Sequence, residues 1–333
     1  MAERIRDSRI DFIKGMLIWG IIYGHGVDAL WGGVAHNQVW LHTFVRTYDL
    51  PFFMLLSGYF LKRSLEKRGG WGALLNRVTM IVVPIVVWTL LRGVLNVFGG
   101  LYYFLWAVFW SALICMAVKI LADLFLAWGG AVWCVVFTFV CVVLHLADIP
   151  YNMFYLFPFF AVGFMLHSVE IRFSAMAMTF LLAIFAVGLC FWSPQYTPWS
   201  VTGLAWKQDL GAIGVYCYRF VLALVGICIM MKVFGSLRSL IGVDSWLSNF
   251  ISVSGKETLA LYLMHIFLFS LLKRICSFAM PHIVEYVAID NTENLIGYVI
   301  APIVSFLTIF ILMIIIRNLR TRRYLAWILG FKV

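Results

Sequence analysis

The sequence predicts an all-α, polytopic membrane protein with about ten transmembrane helices and both termini cytoplasmic. Three observations carry that prediction. Of 333 residues, 64% are hydrophobic and only 12% are charged, with a mean hydropathy of +0.98. A soluble fold of this length could not hide so much apolar surface. The apolar residues fall into runs of roughly 20, the length that crosses a bilayer as a helix. The basic residues are unevenly shared between alternate loops, as the positive-inside rule requires.

Taken in order, the runs centre near Leu17, Leu55, Val87, Val108, Val136, Phe160, Leu182, Ala223, Met264 and Phe310. The second is short and headed by Pro51, and the sixth is interrupted by Pro158. The first run carries charges and lacks a small-residue cleavage site, so it is read as a retained span. With the N-terminus inside, Arg4, Arg6, Arg9, the stretch Lys62 to Arg77, Lys119, Arg172, Lys232, Arg238 and the tail from Arg317 to Lys332 all face the cytoplasm. Only Arg46, Lys207, Lys273 and Arg274 fall outside. The net charge of +10 is therefore assigned to topology, and nucleic acid is excluded as a partner. The longer polar connections are Asp28–Tyr48 and Ser193–Asp209 (outside), Leu61–Arg77 and Lys232–Ser254 (inside), and Ser277–Asn294 (outside). No repeat or low-complexity segment appears. The chain is read as one membrane domain, 1–333, without an appended soluble domain. The seven cysteines mostly sit in apolar runs and form no CxxC pair, so neither a disulfide framework nor a metal site is expected.

The chemistry-bearing residues lie inside the spans. Lys14 and His25 are eleven residues apart, about three helical turns, and share a face roughly 16 Å long. Asp11 joins the same stripe three residues before Lys14. One reading pairs Asp11 with Lys14 at the inner interface and lets His25 snorkel outward. The other makes the stripe functional, because ionisable groups in a span are costly and histidine suits general-base work. Arg92 and Arg219 also fall within spans. Each is either half of a structural pair, with Asp209 or Asp49, or an anchor for a ligand. In SGKETLALYLMH, Ser254 and Glu257 have capping-box spacing. Tyr262 and His265 share a face near mid-membrane, where a satisfied core histidine competes with a pore-lining one. His36, His42, His145 and His167 are expected in loops or at helix ends, solvated. The basic stretch Lys62–Arg77 suits anionic headgroups or a phosphorylated ligand.

These residues together resemble the membrane acyltransferase-3 family, closest to its fucose 4-O-acetylase branch. The resemblance rests on Lys14 and His25 within IDFIKG…GHG, LPFFMLLSGYF (Leu50 to Phe60), LLNRVTMIVVPIVVW with Arg77 and Pro84, YYFLWAVF (Tyr102 to Phe109), FPFFAVGFML (Phe157 to Leu166) and ETLALYLMH (Glu257 to His265), in order over almost the whole chain. The chain departs from the family pattern at Lys14, where arginine is commoner, at Met80, where a second basic residue is usual, and at Tyr103, where tryptophan is usual.

The resemblance implies transfer of a small acyl group, most often acetyl, from cytoplasmic acetyl-CoA to a hydroxyl of an extracytoplasmic or lipid-linked glycan, in a bacterial inner membrane. His25 would be the general base, with Lys14 and Asp11 beside the donor path. Arg77 would meet the CoA phosphates, and Tyr262 and His265 would line the donor site. Arg92, Arg219, Arg46 and Asp49 would serve the acceptor or the developing oxyanion. Membrane lipids are the remaining partners, and no metal is expected. A transporter or flippase for a glycan or small anionic solute is the rival class, with a nonenzymatic scaffold third. Acyl-CoA dependence separates them.

Overall fold

The structure, a computed structural model, describes residues 7–31, 39–93, 102–125, 136, 139–140, 153–168, 173–192, 210–286 and 295–321. All the regular structure among these residues is helical. In chain order the elements are α1 (Ser8–Trp31), α2 (Trp40–Arg77), α3 (Val83–Leu91), α4 (Tyr103–Phe125), α5 (Met153–Met165), α6 (Ala175–Cys190), α7 (Leu210–Leu240), α8 (Trp246–Lys256), α9 (Thr258–Tyr286) and α10 (Ala301–Arg320).

Four stretches are long and apolar enough to cross a membrane: Trp40–Leu91, Tyr103–Ile120, Gly214–Leu240 and Gly297–Arg320. A fifth arises if α8 and the first part of α9, bent by 85° at their junction, count as one broken span. α5 and α6 are apolar but shorter. The run expected at Val136 lies almost wholly outside the described residues. α1 is 24 residues long, about 36 Å, yet it is less apolar than those four stretches. Asp11, Lys14, His25, Asp28 and four glycines dilute it.

Several connections expected as loops are helical. α1 runs past Asp28 to Trp31 and α2 begins at Trp40, so most of the Asp28–Tyr48 connection is helix. The basic stretch Leu61–Arg77 continues α2, kinked at Gly69, whose φ of 70° suits a residue without a Cβ. Helix continues because Leu61, Leu65 and Ala73 remain buried at helical spacing. A π-helical turn, Val78–Val82, precedes Pro84 in α3, and another, Ile296–Ile300, precedes Pro302 in α10. Proline cannot donate to the carbonyl four residues back, and the widened turn accommodates that gap.

The chain divides into two compact units, Met1–Asp49 with Cys228–Val333, and Leu50–Ile227. In the first, α1 packs on α8, α9 and α10. Its closest crossing is made by two glycines: a Cβ at Gly15 would run into the Ile251 carbonyl, and one at Gly255 into the Asp11 carbonyl. The backbones touch because neither helix presents a side chain there. Tyr23 donates its hydroxyl to the Gly297 carbonyl at 3.0 Å, and Arg238 donates to the Ser8 hydroxyl at 2.8 Å. In the second unit the same device joins α2 to α5, with Gly58 against the Phe160 carbonyl and Gly163 against the Leu55 carbonyl. Tyr216 and Tyr218 donate to the Phe154 and Gly188 carbonyls at 3.0 and 2.7 Å.

Adding a side chain at either crossing should force the backbones apart. Gly255→Val or Gly163→Val is expected to lower stability by about 3 kcal/mol or more, read as an earlier unfolding midpoint in detergent. Gly70→Ala, where nothing lies within 4 Å of the new Cβ, should leave that midpoint unchanged.

Candidate active site

α1 carries the predicted stripe on one unbroken helix. Asp11 is 4% exposed and Lys14 is half-buried. Both engage in polar or electrostatic contacts. Three turns on, His25 is 36% exposed.

Around His25 the first unit gathers an ionic cluster. His25 Nδ1 lies 3.8 Å from Asp28 Oδ2, one turn along α1. Arg46, from α2, reaches the same carboxylate oxygen with Nη2 at 3.6 Å and Asp49 Oδ2 with Nη1 at 3.4 Å. Its Nε donates to His42 Nε2 at 3.4 Å. That nitrogen therefore holds the lone pair, and its 4.0 Å approach to Asp28 is proximity without a hydrogen bond. The guanidinium lies flat on α1 because residue 24 is glycine, where a Cβ would sit 2.8 Å from Arg46 Nη2. Asp28 is 37% exposed, whereas Asp49 and His42 are buried. The cluster thus has an open front of His25 and Asp28 and a closed back.

His265, on α9, completes it. Its ring centroid is 5.2 Å from that of His25, with Tyr262 at 5.5 Å and Phe269 at 6.0 Å on the far sides. α9 is aimed there by the bend at Glu257. That carboxylate, 5% exposed, pairs with Arg320 Nη1 at 2.6 Å. The capping box is not formed. Ser254 lies inside α8 and donates to the Phe250 carbonyl at 2.9 Å, and α9 begins only at Thr258. Continuous helical packing up to Lys256 removes the free N–H groups that a cap would serve.

Arg77, Arg92 and Arg219 lie in the second unit. Arg77 closes α2 and donates to the Ser57 carbonyl at 3.4 Å. Arg92 hydrogen-bonds the Tyr102 side chain. Arg219 is fully buried with its guanidinium 3.8 Å from the Trp192 ring, a cation–π stack. Asp49 serves Arg46, and Asp209 lies outside the described residues. His167 is not solvated but sits 3.3 Å from Glu66 and packs on Tyr59. His36 and His145 lie outside the described residues. Among the described residues no three His, Cys, Asp or Glu side chains converge as a metal site.

Asp28 and His42 were not singled out from the sequence, and His42 was expected in solvent. The signal was present. His42, Arg46 and Asp49 recur at i, i+4 and i+7, one face of a helix. It is invisible only while that segment is taken as a loop.

Nodulation protein NolL of Sinorhizobium fredii (strain NBRC 101917 / NGR234) is 26% identical over 184 residues, covering 48% of each chain. NolL of Mesorhizobium japonicum (strain LMG 29417 / CECT 9101 / MAFF 303099) is 23% identical over 187 residues, again 48% of each. The chain thus spans about half the length of the curated relatives it matches. No solved structure matches. The family model described as an acyltransferase domain matches residues 7–317, from the first turn before α1 almost to the end of α10, and the chain belongs to the acyltransferase-3 family.

Proposed function

We propose that this membrane acyltransferase moves an acetyl group from cytoplasmic acetyl-CoA to a hydroxyl of an extracytoplasmic or lipid-linked glycan, with His25 as general base. The observation that carries this reading is the partly open imidazole of His25 backed by the Asp28–Arg46–Asp49 network. An imidazole must be reachable to meet a substrate, and it must be held to act in one geometry.

Asp28 faces Nδ1, which favours the tautomer with its proton there and its lone pair on Nε2. Nε2 takes the proton of the acceptor hydroxyl as that oxygen attacks the thioester carbon. The C–S bond breaks, and the proton ends on the departing sulfur. Arg46 keeps Asp28 oriented and places positive charge beside the carbonyl oxygen as it gains negative charge. We assign this role to Arg46, which lies beside His25 through Asp28, in place of Arg92 or Arg219. Lys14, with Asp11 beside it on the same face of α1, lies toward the end from which the donor enters. Arg77 and the basic end of α2 are assigned to the CoA phosphates, which suit clustered cations. Tyr262 flanks the donor next to His265.

A transporter reading has one observation in its favour, the span broken by 85° at Glu257, since discontinuous helices form transporter sites. Consumption of acetyl-CoA decides between them.

Purified protein in nanodiscs with radiolabelled acetyl-CoA tests the proposal. The wild type should bind saturably and hydrolyse the thioester slowly. His25→Ala should keep that binding and lose turnover by about 10²- to 10⁴-fold, whereas Lys14→Ala should weaken binding roughly tenfold with a smaller effect on kcat. Absence of binding by well-folded wild type, to acetyl-CoA or any other short acyl-CoA, would sink the transferase reading.

Loss of the network should act on kcat without emptying the site. Asp28→Asn and Arg46→Lys are each expected to lower kcat about ten- to a hundredfold, because the imidazole loses its orientation and the lysine cannot span two carboxylates. Stopped-flow release of CoA thiol measures it. Wild-type kcat in Arg46→Lys would remove Arg46 from the mechanism.

A further inference from the structure

His265 uses one of its ring nitrogens and leaves the other bare. The side chain is fully buried. Nδ1 lies 2.9 Å from the Leu261 carbonyl oxygen. A carbonyl only accepts, so Nδ1 carries hydrogen and donates. In the neutral ring Nε2 then presents a lone pair. Among the described residues that atom has no hydrogen-bond partner and is closed to solvent. A buried acceptor left bare is unfavourable and calls for an explanation. A purely packing role does not supply one, since phenylalanine or leucine would fill the space without the orphaned nitrogen.

The location supplies one. The ring is 5.2 Å from His25, tilted by 38°, behind the open face where His25 meets a substrate. We propose that His265 is a second proton-holding group of the acyl-transfer centre: the proton leaving the acceptor hydroxyl is shared between His25 and Nε2 of His265. This rests on the reading of His25 as general base. The balance of the step is unchanged. The hydroxyl O–H and thioester C–S bonds break, the ester C–O bond forms, the electron pair leaves on sulfur, and the shared proton is returned to that thiolate.

One feature makes sharing useful. A proton held on His25 alone would be open to exchange, since that side chain is 36% exposed, whereas His265 is fully buried. The charged and titratable groups around the pair are Asp28 from α1, His42, Arg46 and Asp49 from α2, and Tyr262 from α9 itself. α10 contributes Ser305, whose hydroxyl donates to the Ile22 carbonyl at 3.5 Å.

The test uses the full chain in nanodiscs. His265→Asn keeps a donor for the Leu261 carbonyl and removes Nε2. His265→Gln places an amide near Nε2 that accepts a hydrogen bond but cannot hold a proton. Both should unfold at the wild-type temperature, while kcat falls about 100-fold, a larger change than any in acetyl-CoA affinity, and the solvent deuterium isotope effect on kcat grows. Should both variants misfold, the wild type still answers. Its kcat in mixed H2O and D2O should curve with deuterium fraction, as when two exchangeable positions contribute. A straight line, or an Asn or Gln variant with more than a third of wild-type kcat, overturns the proposal. Wild-type turnover abolished by His25→Ala but intact in His265→Asn overturns this inference alone. A wild type that consumes no acetyl-CoA overturns the base assignment and this proposal with it.

Discussion

The crossing of α1 over α8 is the constraint from which the candidate site follows. Gly15 and Gly255 each occupy the point where the other helix's backbone passes, against the carbonyls of Ile251 and Asp11. Between apolar helices there is little to gain by exchanging lipid contact for side-chain contact. Close backbone approach is what holds them. Once α1 is seated, everything on it is placed at fixed heights. Asp11 is buried under Gly255, and His25 emerges nearly three turns beyond Gly15. The bend at Glu257 then matters as much as the crossing. It turns the chain directly after Gly255 and sends α9 back along α1, so that His265 meets His25. Two small residues and one broken helix thus bring together residues 240 positions apart in the chain.

Arg46 is the second organising element, and its logic is electrostatic. A guanidinium among apolar helices is costly unless its donors are used. Here Asp28, Asp49 and His42 take them. Gly24 lets the planar group lie against α1. The result is a network in which one carboxylate, Asp49, is buried and spent on Arg46, while the other, Asp28, is exposed and shared with His25. That asymmetry is what a reactive centre needs. One side is rigid, the other can be reached by a ligand. It also explains why α1, with Asp11, Lys14, His25 and Asp28, still belongs in the bundle, since each of these side chains engages polar or charged partners.

Much of the helical architecture was legible in the sequence because long apolar runs have few alternatives. The stripe from Lys14 to His25 was legible because it depends only on the 3.6-residue period within one helix. What escaped depended on where helices end. Asp28–Tyr48 looked polar enough to be a loop, and with that boundary His42 became a solvated histidine and Arg46 an isolated outer charge. In the structure the segment from Trp40 is helical and those side chains point at α1. Ser254 and Glu257 failed in the same way. The capping-box spacing was real, but tertiary packing kept Ser254 inside α8 and gave Glu257 to Arg320, a partner 63 residues away. Local signals lose to an ion pair that satisfies a buried carboxylate when the two compete for it.

His265 marks the limit of reading one residue at a time. On its own helix it is a buried histidine with a satisfied Nδ1, and nothing local distinguishes it from a core residue. Its significance lies in the nitrogen that no described residue satisfies and in the His25 ring 5.2 Å away across the α1–α9 contact. A core selected only for stability would replace such a group, since a bare buried acceptor is more costly than a well-packed apolar side chain. Retaining it beside a partly exposed imidazole fits a centre whose resting state is left one hydrogen bond short. The acceptor hydroxyl and its departing proton would supply what is missing. On this view the polar cost of α1 and the bare nitrogen of α9 are two parts of one device, a proton site kept incomplete until substrate arrives.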